Sequence, residues 1–358
     1  MPGIFTHYIS GEKVLEKITD KDTLEMINKD RRIFDFGLQG PDFFKYYGVP
    51  FKADDGINRL YMMLHERTIG EWFSTIYRYI KAQAPEDAAI LKPYFLGYYV
   101  HYMVDCALNP YISYRVGFAT PNADLTERFN VYRNRFVTAM DELILKRYKN
   151  KTPQEMDIDK IFWVEYKELL EITRMYPLHL KRILGREVSR EQVIKAAQDM
   201  NRMSKKRIKP GFMSISVPIY EFFNREVYKG TYSSTRYGKI DPSIDYLNEQ
   251  HTQWVLPWDN RKASEEDVIQ MYEKAIEKDK EILIYLIDET ASVQIDNIDF
   301  GEKHESLELF KKELQKNHTI DRFINATDLV EKLERKIDSL IGQYKYPSNS
   351  AEFKDKME

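Results

Sequence analysis

The segment between Pro93 and Pro110 constrains the fold most: it is dense in aromatic residues and carries its polar groups in a narrow stripe. Tyr94, Phe95, Tyr98, Tyr99 and Tyr102 surround His101-Tyr-Met-Val-Asp105, and Asn109 follows four residues later. Residues at i and i+4 share a helix face, so positions 101, 105 and 109 form one polar stripe in an otherwise apolar helix. A histidine and a carboxylate facing an apolar interior need compensation, and a metal ion is one source of it. A buried His–Asp hydrogen bond is another, and the spacing alone does not choose between them.

Most of the remaining chain also has helical periodicity. From Gly56 to Ala82, Leu60, Met63, Leu64, Trp72, Ile76, Tyr79 and Ile80 recur every three to four residues. Pro85, followed by Glu86 and Asp87, opens a helix running toward Asn109, with a kink or restart expected at Pro93. Further helices are predicted over residues 123–149, 159–175, 189–203, 264–288 and 306–344, with Ser264-Glu-Glu-Asp267 as a capping pattern. Residues 209–261 lack a period and read as long connecting structure, and the chain after Tyr346 as a frayed polar tail. No segment alternates strongly enough to demand a sheet. The expected fold is therefore all-α: a helical core over residues 1–208, with 209–358 packed on the same domain.

A chain of 358 residues can bury a large core, and 43% hydrophobic with 13% aromatic residues marks it as globular. Its net charge of -3 gives no basis for nonspecific nucleic-acid binding, which needs a basic excess. The run Lys205-Lys-Arg-Ile-Lys209 is either a solvated face or a small anion site. The N-terminus has no secretory pattern, and no stretch approaches roughly 18 uninterrupted apolar residues, so a cytoplasmic protein without a transmembrane segment is expected. Cys106 is the single cysteine, which excludes an internal disulfide and leaves any zinc to histidines and carboxylates.

Three other places hold candidate ligands. His7 lies in Phe5-Thr-His-Tyr8, Asp42 ends the glycine- and proline-rich Gly37-Leu-Gln-Gly-Pro-Asp42, and His65 follows Tyr61, Met62, Met63 and Leu64. Each has a bland reading. A lone histidine beside an apolar stripe is more often a hydrogen-bonded core residue, and an aspartate in such a loop often stabilises a turn. Phe43, Phe44, Tyr98, Tyr99 and Tyr102 fit either a packed core or a pocket wall.

Taken in order, Thr6-His-Tyr8, Gly37-Leu-Gln-Gly-Pro-Asp42, Met63-Leu-His65, residues 97–115, Tyr246-Leu-Asn248, Trp254 and Trp258-Asp259 resemble the zinc-dependent phospholipase C family, in its short version without a signal peptide. The likeness is dense over roughly the first 145 residues and returns in the later patch. It implies a multi-helix bundle similar to the single-strand-specific zinc nucleases, with additional C-terminal helices. It also implies zinc-dependent cleavage of a phosphoester in a small molecule or lipid headgroup. Carried over, Asp42, His65, His101 and Asp105 match the ligands of one zinc. His7 matches a ligand of a second, bridged by Asp105 and completed by the N-terminal residue. Asp42 matches the residue that orients or deprotonates the attacking water.

The chain departs from the family at a third zinc. Asn109 stands where the family has histidine, Arg133 and Val137 where it has a His-x-x-x-Glu pair, and Leu256 where a histidine is expected. Neither a guanidinium nor an alkyl group ligates metal, and an amide oxygen is a weak donor. The expectation is a centre of one or two zinc ions with the third lost, Arg133 being positioned to bind phosphate in its place. The alternative is a noncatalytic descendant serving as a binding or structural protein.

Overall fold

In the computed structural model, the described residues are 2–49, 56–66, 69–116, 123–209, 211, 219, 233–256 and 259–287. Among them are eleven α-helices and one two-stranded sheet, so the chain is of the all-α class. No helix among the described residues is long and apolar enough to cross a membrane. The predicted helix over 306–344 and the tail after Tyr346 lie outside the described residues.

The axis of the molecule is α6, Pro85–Val116, the longest described helix. Of the two expected outcomes at Pro93, a kink or a restart, the restart does not occur: Pro93 lies inside a single helix, as does Pro110. A proline in a helix interior costs about 3 kcal/mol through its lost N–H and its clash with the preceding turn. Tyr94, Phe95, Tyr98, Tyr99 and Tyr102 are all buried around α6, and each large apolar side chain contributes roughly 1.5–3 kcal/mol on burial. Tertiary packing therefore outweighs the local defect.

Sequence periodicity assigned no helix to the first 55 residues, yet α1 (Ile4–Lys17), α2 (Lys21–Lys29) and α3 (Arg31–Gly37) form there. Asp20 caps α2 by accepting a hydrogen bond from the Thr23 N–H at 2.8 Å. Helix α3 meets α6 through two glycines rather than through side chains. A Cβ on Gly37 would stand 2.3 Å from the Tyr94 carbonyl oxygen, and one on Gly97 would stand 2.2 Å from that of Phe34. Only glycine permits this approach at either position.

The expected helix over 56–82 is found as a 3-10 turn, Ile57–Arg59, then α4 (Leu60–Glu66) and α5 (Ile69–Lys81); residues 67 and 68 lie outside the described set. Helix α7, Ala123–Lys149, has the predicted bounds. The expected single helix at 159–175 is instead α8 (Ile158–Phe162) and α9 (Tyr166–Leu184). A new start at Glu165 explains the break: its N–H donates to Glu168 Oε2 at 2.7 Å, and Arg32 ties down both carboxylates. Helix α10, Arg190–Ile208, begins after the Ser189 cap and runs past the expected end at Met203.

The segment 209–261 holds more order than expected. Strands β1 (Trp254–Leu256) and β2 (Asp259–Ser264) pair antiparallel, with Trp254 opposite Ser264. Trp254 is buried against Tyr111 of α6, with ring centroids 5.6 Å apart. Since Ser264 belongs to this ladder it does not cap the next helix, and α11, Val268–Ile287, starts later. There Asp267 Oδ1 accepts from the Gln270 N–H at 2.6 Å, while the Asp267 N–H donates to Gln270 Oε1 at 3.1 Å. Helix α11 returns to the core, where the Tyr272 hydroxyl donates to the Thr6 carbonyl at 2.7 Å.

Candidate metal centre

Each candidate ligand is delivered by a different local device. His7 sits in the second turn of α1, whose N-cap, Gly3, has no capping side chain. Asp141 of α7 supplies the cap from outside, accepting the Thr6 N–H at 2.6 Å, the Thr6 hydroxyl at 2.7 Å and the Phe5 N–H at 3.3 Å. Asp42 opens a short 3-10 turn, Asp42–Tyr46, directly after the glycine–proline loop. Gly40 in that loop has φ +52°, and a Cβ there would stand 2.4 Å from His101 Cδ2. The loop can lie flat against the imidazole only because position 40 lacks a side chain.

His65 and His101 are oriented by backbone. The Nδ1–H of His65 donates to the Tyr61 carbonyl at 2.5 Å, and that of His101 to the Leu38 carbonyl at 3.0 Å. With the proton held on Nδ1, each neutral ring presents an Nε2 lone pair inward. These two Nε2 atoms are 2.8 Å apart, and Asp105 Oδ2 lies 2.9 Å from that of His65 and 3.4 Å from that of His101. Asp42 Oδ1 is 3.7 Å from His65 Nε2, and Asp105 Oδ1 is 3.6 Å from His7 Nε2. The His7 and His101 rings lie with centroids 4.0 Å apart.

All five sequence-derived candidates thus converge, as two triads sharing His101: His7, His101 and Asp105; and Asp42, His65 and His101. Both ring nitrogens of His7, both oxygens of Asp105 and Asp42 Oδ1 are buried without a hydrogen-bond partner. Converging acceptors repel unless a proton or a cation lies between them. Four atoms around a tetrahedral ion at about 2.05 Å lie roughly 3.3 Å from one another. The contacts of 2.8 to 3.7 Å bracket that spacing. An all-N/O donor set of this kind fits zinc or a similar divalent ion.

Without a metal, protons must balance the cluster. Burial pulls the pKa of His7 and His101 well below that of ordinary histidine. Burial opposes the His65 imidazolium too, but Asp105 and Asp42 outweigh it and raise that pKa. Burial pushes the Asp42 carboxyl up, whereas for Asp105 the histidines overcome burial and hold it low.

Asn109, at one end of the stripe, meets Arg133. Arg133 donates from Nη2 to Asn109 Oδ1 at 2.6 Å and from Nη1 to Ser113 Oγ at 3.2 Å, so a guanidinium reaches the third stripe position. Val137 and Leu256 are partly buried and pack against the apolar core. The nearby aromatics Phe43, Phe44, Tyr98, Tyr99 and Tyr102 are all core. Of the basic run, Arg207 turns inward to the Tyr46 hydroxyl at 2.7 Å and the Thr235 carbonyl at 3.0 Å, and Lys205 pairs with Asp159. The expected N-terminal ligand, if Met1, lies outside the described residues, as does Trp258.

Sequence reasoning missed Lys45 and Asn134. The Lys45 ammonium lies 3.5 Å from Asn134 Oδ1 and 5.7 Å from the centroid of the Tyr61 ring. Burial lowers its pKa to about 8, with Asp42 acting in the opposite sense. The readable signal was its place three residues after Asp42, because side chains at i and i+3 of a 3-10 turn eclipse.

A sequence family described as a domain of unknown function (DUF4062) matches residues 235–338. That span includes the hairpin and α11, excludes every candidate ligand, and extends beyond the described residues. No curated protein and no solved structure matches the chain.

Proposed function

We propose that the chain is a zinc-dependent phosphoester hydrolase of the phospholipase C type, with a reduced centre of one or two ions. The observation that carries this reading is the buried convergence of His65 Nε2, His101 Nε2 and Asp105 Oδ2 within 2.8–3.4 Å, beside unpartnered atoms of His7 and Asp42. When bound, the ion lowers the pKa of a coordinated water toward about 7 and offsets charge on the phosphoryl oxygens. Asp42, less deeply buried than His101 or Asp105, accepts the proton of the attacking water. Arg133 offers its planar guanidinium to the phosphoryl oxygens where the family carries a further ion. The ordered sequence motifs support the family assignment, and the substrate class follows from it: a small phosphoester or a lipid headgroup.

The test is zinc content of protein purified without an N-terminal tag, together with hydrolysis of bis(4-nitrophenyl) phosphate before and after chelation. One or two equivalents of zinc, with turnover lost on chelation and restored by zinc, supports the proposal; absence of zinc uptake overturns it. The 2.6 Å bond that engages Arg133 with Asn109 favours a second reading, a noncatalytic descendant that keeps the metal. Zinc uptake without turnover of any phosphoester would select that reading.

A further inference from the structure

The stripe on α6 has two ends: His101 and Asp105 belong to the metal cluster, whereas Asn109 meets Arg133. A second cation approaches from another direction. Lys45 is one 3-10 turn beyond Asp42, on the same face of that turn, and Asp42 is the carboxylate that favours its charged form. Asn134, the residue after Arg133 on α7, lies 3.5 Å from that ammonium and donates its own amide to Ser234 Oγ at 3.3 Å. Tyr61, whose carbonyl orients His65, places its ring beneath the same ammonium. The charges acting most strongly on Lys45 are one carboxylate, Asp42, and two guanidinium groups, Arg207 and Arg133.

We infer that Lys45 and Arg133 form an anion seat beside the metal centre that takes the non-bridging oxygens of a phosphoryl group, with Asn134 as the residue positioning the Lys45 ammonium. The inference rests on the hydrolase reading and gives it a binding residue that no family motif supplies. The two cations have different tasks. A guanidinium fixes the orientation of a phosphoryl group through paired N–H donors, whereas an ammonium acts as a point charge and tolerates its rotation. Together they supply on side chains the neutralisation that another ion would give.

Calorimetric titration of inorganic phosphate into the zinc-loaded full chain tests this, with the zinc content of each variant measured in parallel. Lys45→Met is expected to weaken phosphate binding by about 10- to 100-fold, the usual worth of one charge-assisted contact, with zinc content unchanged. Lys45→Arg is expected to retain binding within a few-fold. Asn134→Asp leaves Lys45 in place but sets a carboxylate against its ammonium, and is expected to weaken phosphate binding as Lys45→Met does. If Lys45→Met fails to fold, Asn134→Asp decides. Wild-type phosphate affinity in a zinc-replete variant of either kind overturns the seat while leaving the hydrolase reading intact. A wild-type chain that takes up zinc but binds no phosphate also overturns the seat; one that takes up no zinc overturns the hydrolase reading and, with it, the seat. A short-chain phospholipid titrated alongside separates the sources. Parallel loss of its binding in the variants identifies a lipid headgroup, and loss for inorganic phosphate alone identifies a small phosphate.

Discussion

Replacing Asp141 tests how the first helix, and with it His7, is held in place. The carboxylate is fully buried, and it accepts from the Phe5 and Thr6 N–H groups, the Thr6 hydroxyl and the Tyr237 hydroxyl, the last at 2.7 Å. Asp141→Ala leaves four donors facing a small cavity. Each unsatisfied buried donor costs about 1–3 kcal/mol. Water entering the cavity and hydroxyl rotation recover part of that, so the expected loss is about 3–5 kcal/mol of stability, in the range for breaking a buried polar network. Asp141→Asn keeps the volume and one acceptor oxygen but removes the charge at the N-terminus of α1. Its expected loss is smaller, about 1–2 kcal/mol. Urea unfolding at pH 8, followed by tryptophan fluorescence, gives both values. Because His7 directly follows Thr6, zinc affinity should fall in the same order. An Asp141→Ala protein within about 1 kcal/mol of wild type would refute the argument that this carboxylate caps α1.

Gly40→Ala should eject the His101 imidazole, since the new Cβ would stand 2.4 Å from Cδ2 at a φ of +52°. Zinc uptake is expected to drop sharply while the far-ultraviolet circular dichroism stays helical; unchanged uptake would show that the loop yields instead. Asp35 gives a pH signature, because burial lifts its carboxyl to about 6 despite the Arg31 guanidinium at 2.7 Å. The folded chain holds this proton more tightly than the unfolded chain does. Its stabilising contribution is therefore complete below about pH 4 and is lost as pH rises through about 6, amounting to about 3 kcal/mol at most. Asp35→Asn cannot ionise, so its stability relative to wild type should rise by about 1–3 kcal/mol between pH 4 and pH 7; a difference that is flat with pH in urea melts contradicts this assignment.

The sequence made the long helices and the ligand set legible for separate physical reasons. Helix α7 showed itself because its apolar residues Phe136, Met140 and Ile144 repeat at helical spacing and all lie in the core. The start of α10 was marked by Ser189, which caps it. Helix α1 was not legible: Thr6, His7 and Ser10 are buried polar residues that erase its apolar stripe, and its cap comes from a residue more than a hundred positions away. The break before α9 depends on Arg32 reaching Glu165 and Glu168, a tertiary contact that no local pattern encodes. For the site, the i,i+4 spacing placed His101 and Asp105 on one face, but their meeting with His7, Asp42 and His65 was expected only from motif order. Lys45 escaped notice because the partner that meets its ammonium, Asn134 of α7, is distant in sequence and adjacent in space.

The glycine seam between α3 and α6 has a consequence for how this centre can change over time. At Gly37 and Gly97 the two helices meet main chain to main chain, with no deformable layer between them. Just past the seam, α3 delivers the Leu38 carbonyl that aims His101 and the loop that carries Asp42. Leucine, phenylalanine and tyrosine elsewhere in the interior can drift to other apolar residues, and the bundle can swell or settle by fractions of an ångström. The registration of carbonyl, loop and imidazole does not follow those movements, because it is referenced to peptide atoms whose dimensions no substitution alters. Variation is thereby divided between a permissive interior and two positions that hold the alignment of the whole cluster.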